Sequence, residues 1–304
     1  MGILQNCDTR LEERLQLHRL WLANAPGGAQ ADLTGVVLSD LKLDQVELRG
    51  AILRATSFLD SSLCGADLSG ADLSGADLRN ANLLGADLSG ADLTEANFQF
   101  AWLSEANLSE ARILRACFEK ANLRDSRLFE AQLHGVNLSG ANLTGAGLNH
   151  CSICDCSFAG AELTGAKFLH ARFQDCRFNQ AHADSADFSS ALAQGIDFSG
   201  VQFESVKFNR ADLSRSNFIR ASLSGCNFSN SKLCAADFWM ASLASSRFSG
   251  ADLNAANLNT ANLKGARDLS QHQLAIARTS DGTTLPNGMP GPYMKGSGAE
   301  RIRR

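Results

Sequence analysis

The chain has 304 residues, 28 Lys and Arg against 32 Asp and Glu, a formal net charge of −4, and 44% apolar residues. Such a balance excludes a strongly basic nucleic-acid binder, and no apolar run approaches the ~20 residues of a membrane-spanning helix. No signal peptide is visible, and Met1-Gly2 with Asn6 lacks the Ser or Thr of a myristoylation signal. The cytoplasm is the expected compartment.

Residues 1–30 read as an N-terminal helical cap. Thr9 with Glu12 has the form of a capping box. Leu11, Leu15, His18 and Leu22 recur at helical spacing, and Ala25-Pro26-Gly27-Gly28 ends the segment. His18 and Trp21 are expected to pack on the first coil of the repeat that begins at Ala31.

From Ala31 to Gly265 the chain repeats every five residues without an insertion. Of the 47 positions from Leu33 to Leu263, 45 are Leu, Phe or Ile, the exceptions being Ala183 and Ala193. The residue two before each centre is small in 45 of 47 cases; only Leu41 and Ile196 are larger. A helix advances about 100° per residue and would carry a five-residue stripe around every face. A strand alternates with period two, so an odd step flips the side chain each time. The remaining solution is a chain that turns once per five residues, with the centre and the small residue inward. Glycines gather two residues after the centre, where a corner must turn.

Ala66-Asp67-Leu68-Ser69-Gly70, Ala71-Asp72-Leu73-Ser74-Gly75 and Ala91-Asp92-Leu93-Thr94-Glu95 resemble the A(D/N)LXX unit of pentapeptide-repeat proteins of the bacterial type. The resemblance implies an all-β solenoid: a right-handed quadrilateral parallel β-helix of 20-residue coils, with short helical caps at both ends. About 12 coils at roughly 4.8 Å would make a rod of about 56 Å. Residues 31–265 form the helix on this reading, and residues 266–290 a C-terminal helix and loop cap, with Ser270 opening a helix that carries Leu274 and Ala277. Thr284-Leu285-Pro286-Asn287-Gly288 resembles the extension that ends many such proteins. Residues 291–304, Gly-rich and basic (Lys295, Arg301, Arg303, Arg304), are expected to be disordered.

With four sides per coil, 15 of the 17 Phe are centres, concentrated on one opposed pair of sides. Close packing demands compensation, and Ala183 and Ala193 on the other pair supply it; a small binding cavity is the competing reading. Cys151, Cys156, Cys176 and Cys226 occupy the small inward position as buried hydrophobes. Cys156 and Cys176, one coil apart, have a Cα spacing compatible with a bridge, which parallel side chains and a reducing compartment oppose. His134, His150, Cys154 and His170 are metal-ligating types on adjoining columns, but stacking does not aim them at one point. No metal or cofactor is expected.

The outward positions hold what is free to vary. Ile219, Trp239 and Met240 form one apolar group, Phe100 and Trp102 another, with Phe129 alone; clusters of this kind mark interfaces. Asp67, Asp72, Asp77, Asp87 and Asp92 form acidic columns. Residues 31–110 carry 13 acidic and 4 basic side chains, and residues 111–265 carry 13 and 15. A convex surface spreads polar groups apart, whereas an enzyme needs convergence, so the chain reads as a non-enzymatic interaction or scaffold module with a protein partner and no direct nucleic acid. The resemblance adds two alternatives: an acidic mimic of DNA acting on a type II topoisomerase, and a secreted bacterial effector. The short acidic stretch and the uninterrupted register depart from the topoisomerase-directed members. Monomer and homodimer both stay open.

Overall fold

A computed structural model describes residues 9–302, with side chains from Arg10 onward. The chain divides into two compact units, Met1–Ser152 and Ile153–Arg304, each a right-handed parallel β-helix.

In the first unit α1 (Thr9–Leu22) carries Leu11, Leu15 and His18 inward. The Thr9 half of the expected capping box lies outside the described side chains. Gly28 runs so close to the helix that a Cβ there would collide with the Trp21 backbone nitrogen. Only glycine fits, and this contact returns the chain to the first coil, where the Ala29 N–H donates to the Leu17 carbonyl (3.0 Å).

Each coil is then written by the same bonds. The Leu33 N–H donates to the Ile52 carbonyl (2.8 Å), and the Ile52 N–H donates to the Ala31 carbonyl (2.9 Å). Parallel bridges from Asp32↔Ile52 to Arg127↔Gly147 keep that register of 20 residues. At most corners a backbone N–H returns to the preceding centre, as from Val36 to Leu33 (3.0 Å), and a residue between is left-handed, as at Gly35 (φ 68°). Short true strands, β1 (Arg112–Leu114) and β2 (Gln132–His134), pair with Ile113 opposite Leu133. The centres are Leu-rich and essentially inaccessible, with Phe98 stacked on Phe118 at 4.5 Å.

The second unit begins within β3 (Ser152–Cys154) and includes β4 (Arg172–Gln174). Its core is built from two columns of rings. Phe158, Phe178, Phe198, Phe218 and Phe238 stack at 4.7 to 5.0 Å. Phe168, Phe188, Phe208, Phe228 and Phe248 stack at 4.5 to 5.3 Å. The columns meet edge to face, as between Phe218 and Phe228 at 6.4 Å, the geometry ring quadrupoles favour. Ala183 and Ala193 are fully buried.

The ladder continues past the repeat: Arg278 pairs with Asn257, and Thr284 with Asn262. Before them α2 (Gln271–Ile276) starts at Ser270 with a complete Ser270–Gln273 capping box and buries Leu274. The Gln273 side-chain amide donates to the carbonyls of Phe248 and Ala251, both at 2.8 Å. The Thr283 hydroxyl donates to the Leu258 carbonyl (2.9 Å). Carbonyls at the end of the coil thus find donors from the cap. Residues 291–302 depart from the expected disorder. Ala299 is buried, its carbonyl accepts from the Asn287 N–H (3.2 Å), and Glu300 accepts from Gln271 and Tyr293. Composition hid this because one buried Ala and two polar contacts anchor the segment. Arg303 and Arg304 lie outside the described residues.

Candidate interaction surface

Corners decide which side chains face water. The residue two after each centre is left-handed whether or not it is glycine: Phe100 has φ 58°, Met240 58°, His150 61° and Arg115 52°. For a non-glycine residue that conformation costs about 1–2 kcal/mol. Asp, Asn and Gly bear it most readily, and they fill many of these corners.

Phe100 and Met240 are the exceptional occupants. Phe100 is 48% exposed, and the Lys120 ammonium sits 5.5 Å from its ring. Trp102, 60% exposed, stands in the ladder between Asn82 and Asn122. Leu84 joins them on the first unit's surface. Spacing alone does not single it out, because beside the centre Leu83 it reads as part of the core run. In the second unit Trp239 is 37% and Met240 47% exposed, Ile219 is half-buried, and the Arg220 guanidinium lies 5.5 Å from the Trp239 ring. Leu192 is also exposed there. Each unit therefore presents its own aromatic group, with a cation already against it.

An open groove of about 490 Å³ runs along Asp184, Gln202, Glu204 and His182 to Arg220. A second, of about 570 Å³, follows Gln194, Ser214, Arg215, Cys234 and Asn254. There the Cys234 thiol donates to Asp252 (3.0 Å), and that bond pushes the thiol's pKa up. A thiol held protonated beside a carboxylate is a poor nucleophile.

The acidic columns are largely engaged in the fold. Asp67, Asp72, Asp77, Asp87 and Asp92 each accept the backbone N–H two residues on, at 2.9 to 3.2 Å. Ser69, Ser74 and Thr94 add their hydroxyls to Asp67, Asp72 and Asp92. Arg49, Arg54, Arg79 and Arg112 pair with Asp67, Asp72, Asp77 and Asp92, and Asn107 donates to Asp87. The Arg79 guanidinium holds the Asp77 carboxyl below the usual range.

The His and Cys columns form no cradle. His134 is exposed on β2, and His150 sits at a corner with its ring edge-on to Phe129 at 5.5 Å. In the second unit Cys154 is half-buried on β3 and His170 is exposed at a corner. Among the described residues, no three His, Cys, Asp or Glu side chains are grouped to hold a metal ion. Nor is any described helix long and apolar enough to cross a membrane.

Two family models match the chain. Pentapeptide repeats match residues 31–70, 71–110 and 106–145; a pentapeptide repeat region matches 131–202, 151–225 and 201–268. No curated protein matches. Among solved structures the chain is similar to HetL, a pentapeptide repeat protein involved in heterocyst differentiation regulation from the cyanobacterium Nostoc sp. strain PCC 7120. The identity is 26%, over 90% of this chain and 97% of that one, with a TM-score of 0.36. It is also similar to QnrB1, a plasmid-mediated fluoroquinolone resistance protein (20% identity, 56% and 91% covered, TM-score 0.33). A third is a pentapeptide repeat protein from the Arabidopsis thaliana thylakoid lumen (33% identity, 38% and 66% covered, TM-score 0.20). The five-residue register and the matches spanning residues 31–268 place this chain in the pentapeptide-repeat family.

Proposed function

We propose that this protein is a non-enzymatic protein-interaction module that engages its partner through the aromatic groups at Phe100–Trp102 and at Trp239–Met240. The observation that carries this reading is the placement of Phe100 and Met240. Both are large apolar side chains held in left-handed corners and turned to water. Each opposes local stability twice, through backbone strain and through exposed apolar area. Outliers of this kind concentrate where a surface is used. The inner positions are occupied by packing, which leaves the outer columns as the recognition surface.

The test is affinity capture from native cell extract with the full chain, alongside Phe100→Gly/Trp102→Ser and Trp239→Ser/Met240→Gly variants. A partner retained by the wild type and lost by either pair, with no loss of thermal stability, supports the reading. Equal recovery by every variant refutes it.

DNA mimicry is a second reading motivated by the Asp67–Asp87 and Asp72–Asp92 stacks. The corner bonds and the four Asp–Arg pairs weigh against it, since a phosphate mimic needs carboxylates left to the partner. A supercoiling assay with a type II topoisomerase decides it: activity unchanged at micromolar protein removes this reading.

A further inference from the structure

The buried cysteines of the second unit fall into two kinds. Cys226 is buried, its thiol donates to the Phe203 carbonyl (3.1 Å), and burial pushes its pKa up to about 12. Cys151 of the first unit behaves in the same way, with its pKa also pushed up to about 12 by burial. These are inert packing residues. Cys176 differs. The Cys156 thiol donates to its sulfur, and that contact lowers the Cys176 pKa below the usual thiol value.

The ladder explains the contact. Ser157 bridges Arg177, and the Arg177 N–H donates to the Cys156 carbonyl (3.1 Å), so Cys156 and Cys176 stand in register on successive coils. In-register parallel strands place their Cα atoms about 4.8 Å apart, inside the 4.4–6.8 Å span of disulfides. Phe173, three residues before Cys176, is 7% exposed, whereas its neighbours Phe168 and Phe178 are 0%. The Cys176 thiol also meets the Ile153 and Gln174 carbonyls at 3.3 and 3.2 Å. Both cysteines are 2% exposed, so only a small oxidant suits the site, and the sulfur it would meet already has its resolving partner alongside.

We infer that Cys156 and Cys176 form a redox site: a dithiol that a small hydroperoxide closes into a disulfide between successive coils. The Cys176 thiolate attacks the peroxide oxygen, the O–O bond breaks, and the departing alkoxide or hydroxide takes a proton. The resulting sulfenic acid is attacked by the Cys156 thiolate, which forms the S–S bond and releases water. Two thiols lose two electrons and two protons, and the peroxide is reduced to water and an alcohol, or to two waters for hydrogen peroxide. The link closes a loop of one coil and restricts the unfolded chain, which makes the second unit harder to unfold when oxidant is present. Transient use of this kind is compatible with a reducing compartment.

The full chain is treated with hydrogen peroxide, alkylated and digested with trypsin. Cys176 is the only cysteine of the tryptic peptide spanning 173–177, so its fate is read directly. The expected result is that peptide linked through Cys156 to the one spanning 128–167, two hydrogens lighter than the reduced pair and separated by dithiothreitol. Two alkylatable thiols disappear, and the oxidised protein melts at a higher temperature. Cys156→Ser and Cys176→Ser each abolish the link, while Cys226→Ala retains it. Cys176 recovered alkylated, as a sulfinate, or joined to a second chain overturns the proposal. So does Cys64 or Cys234 oxidising while Cys176 stays reduced.

Discussion

The imidazole Nδ1 of His18 accepts the Ala31 backbone N–H at 3.1 Å, with the ring fully buried. This bond joins the cap helix to the first coil, alongside the Arg14 guanidinium, which donates to the Asp32 carbonyl (3.2 Å). The His18 bond requires the neutral ring, because a protonated imidazole has no acceptor. Burial lowers the His18 pKa below its ordinary 6.5, against smaller opposing pulls from the Arg49 carbonyl and the Glu47 carboxylate.

That depressed value fixes the direction of the pH dependence. The unfolded chain takes up the proton first as pH drops. Cap docking is therefore complete above about pH 6.5 and weakens as pH falls below it towards the folded value. Trp21 stacks on His18 at 5.3 Å and reports the event. In a Trp102→Phe/Trp239→Phe background, Trp21 fluorescence should shift on lowering the pH from about 7.5 to about 5.5, a window that brackets the ordinary histidine value. His18→Ala should abolish that shift and cost about 1–3 kcal/mol, since it leaves the Ala31 N–H without its partner. A pH-independent signal in the wild type contradicts this account.

Corner strain gives an opposite signature. Phe100→Gly and Met240→Gly relieve a left-handed conformation, so each should raise stability by about 1 kcal/mol while weakening partner capture. Thermal melting reads the first effect and pull-down the second. A destabilised Met240→Gly would mean that its side chain serves the fold instead of the surface.

Core filling can be tested at Ala193. If the small side chain compensates for the adjoining rings, Ala193→Leu overpacks and costs about 1–3 kcal/mol. A cavity would accept the leucine and gain stability. Phe198→Ala provides the scale, with an expected loss of about 3–5 kcal/mol. Chemical denaturation distinguishes the cases.

The C-terminal cap rests on Gln273. Gln273→Ala removes donors from the Phe248 and Ala251 carbonyls and half of the capping box, a loss of about 2 kcal/mol. Tryptic cleavage after Arg267 and Arg278 should accelerate in this variant. Unchanged protection would show that Leu274 and Thr283 hold the cap without it.

Much of the fold was legible because burial here has a one-dimensional code. Leu33, Leu38 and their successors must face inward at every fifth step, and neither a helix nor an extended strand can satisfy that rule. The Phe columns came from the same arithmetic once four sides were assumed. Its limits appear where the code is interrupted. The 291–302 segment looked polar and glycine-rich, yet Ala299 and Glu300 dock it through contacts made by residues far along the chain. Nothing in the spacing singles out Gln273, whose amide meets two buried carbonyls contributed by residues more than 20 positions earlier in the chain.

The sequence by itself determined the period, the inward and outward sets, and the family, because these depend on spacing along the chain. Only the tertiary structure decided what the outward residues do. It showed the Asp67 to Asp92 ladder largely occupied by corner N–H groups and arginines, and Phe100 and Met240 strained and exposed. It also brought Cys176 within reach of Cys156 while His134 and His150 joined no metal cradle. The physical reason is that hydrogen-bond partners and solvent exposure are set by which coil lies above and below. Five-residue periodicity places a side chain on a side but leaves its neighbours to the stacking.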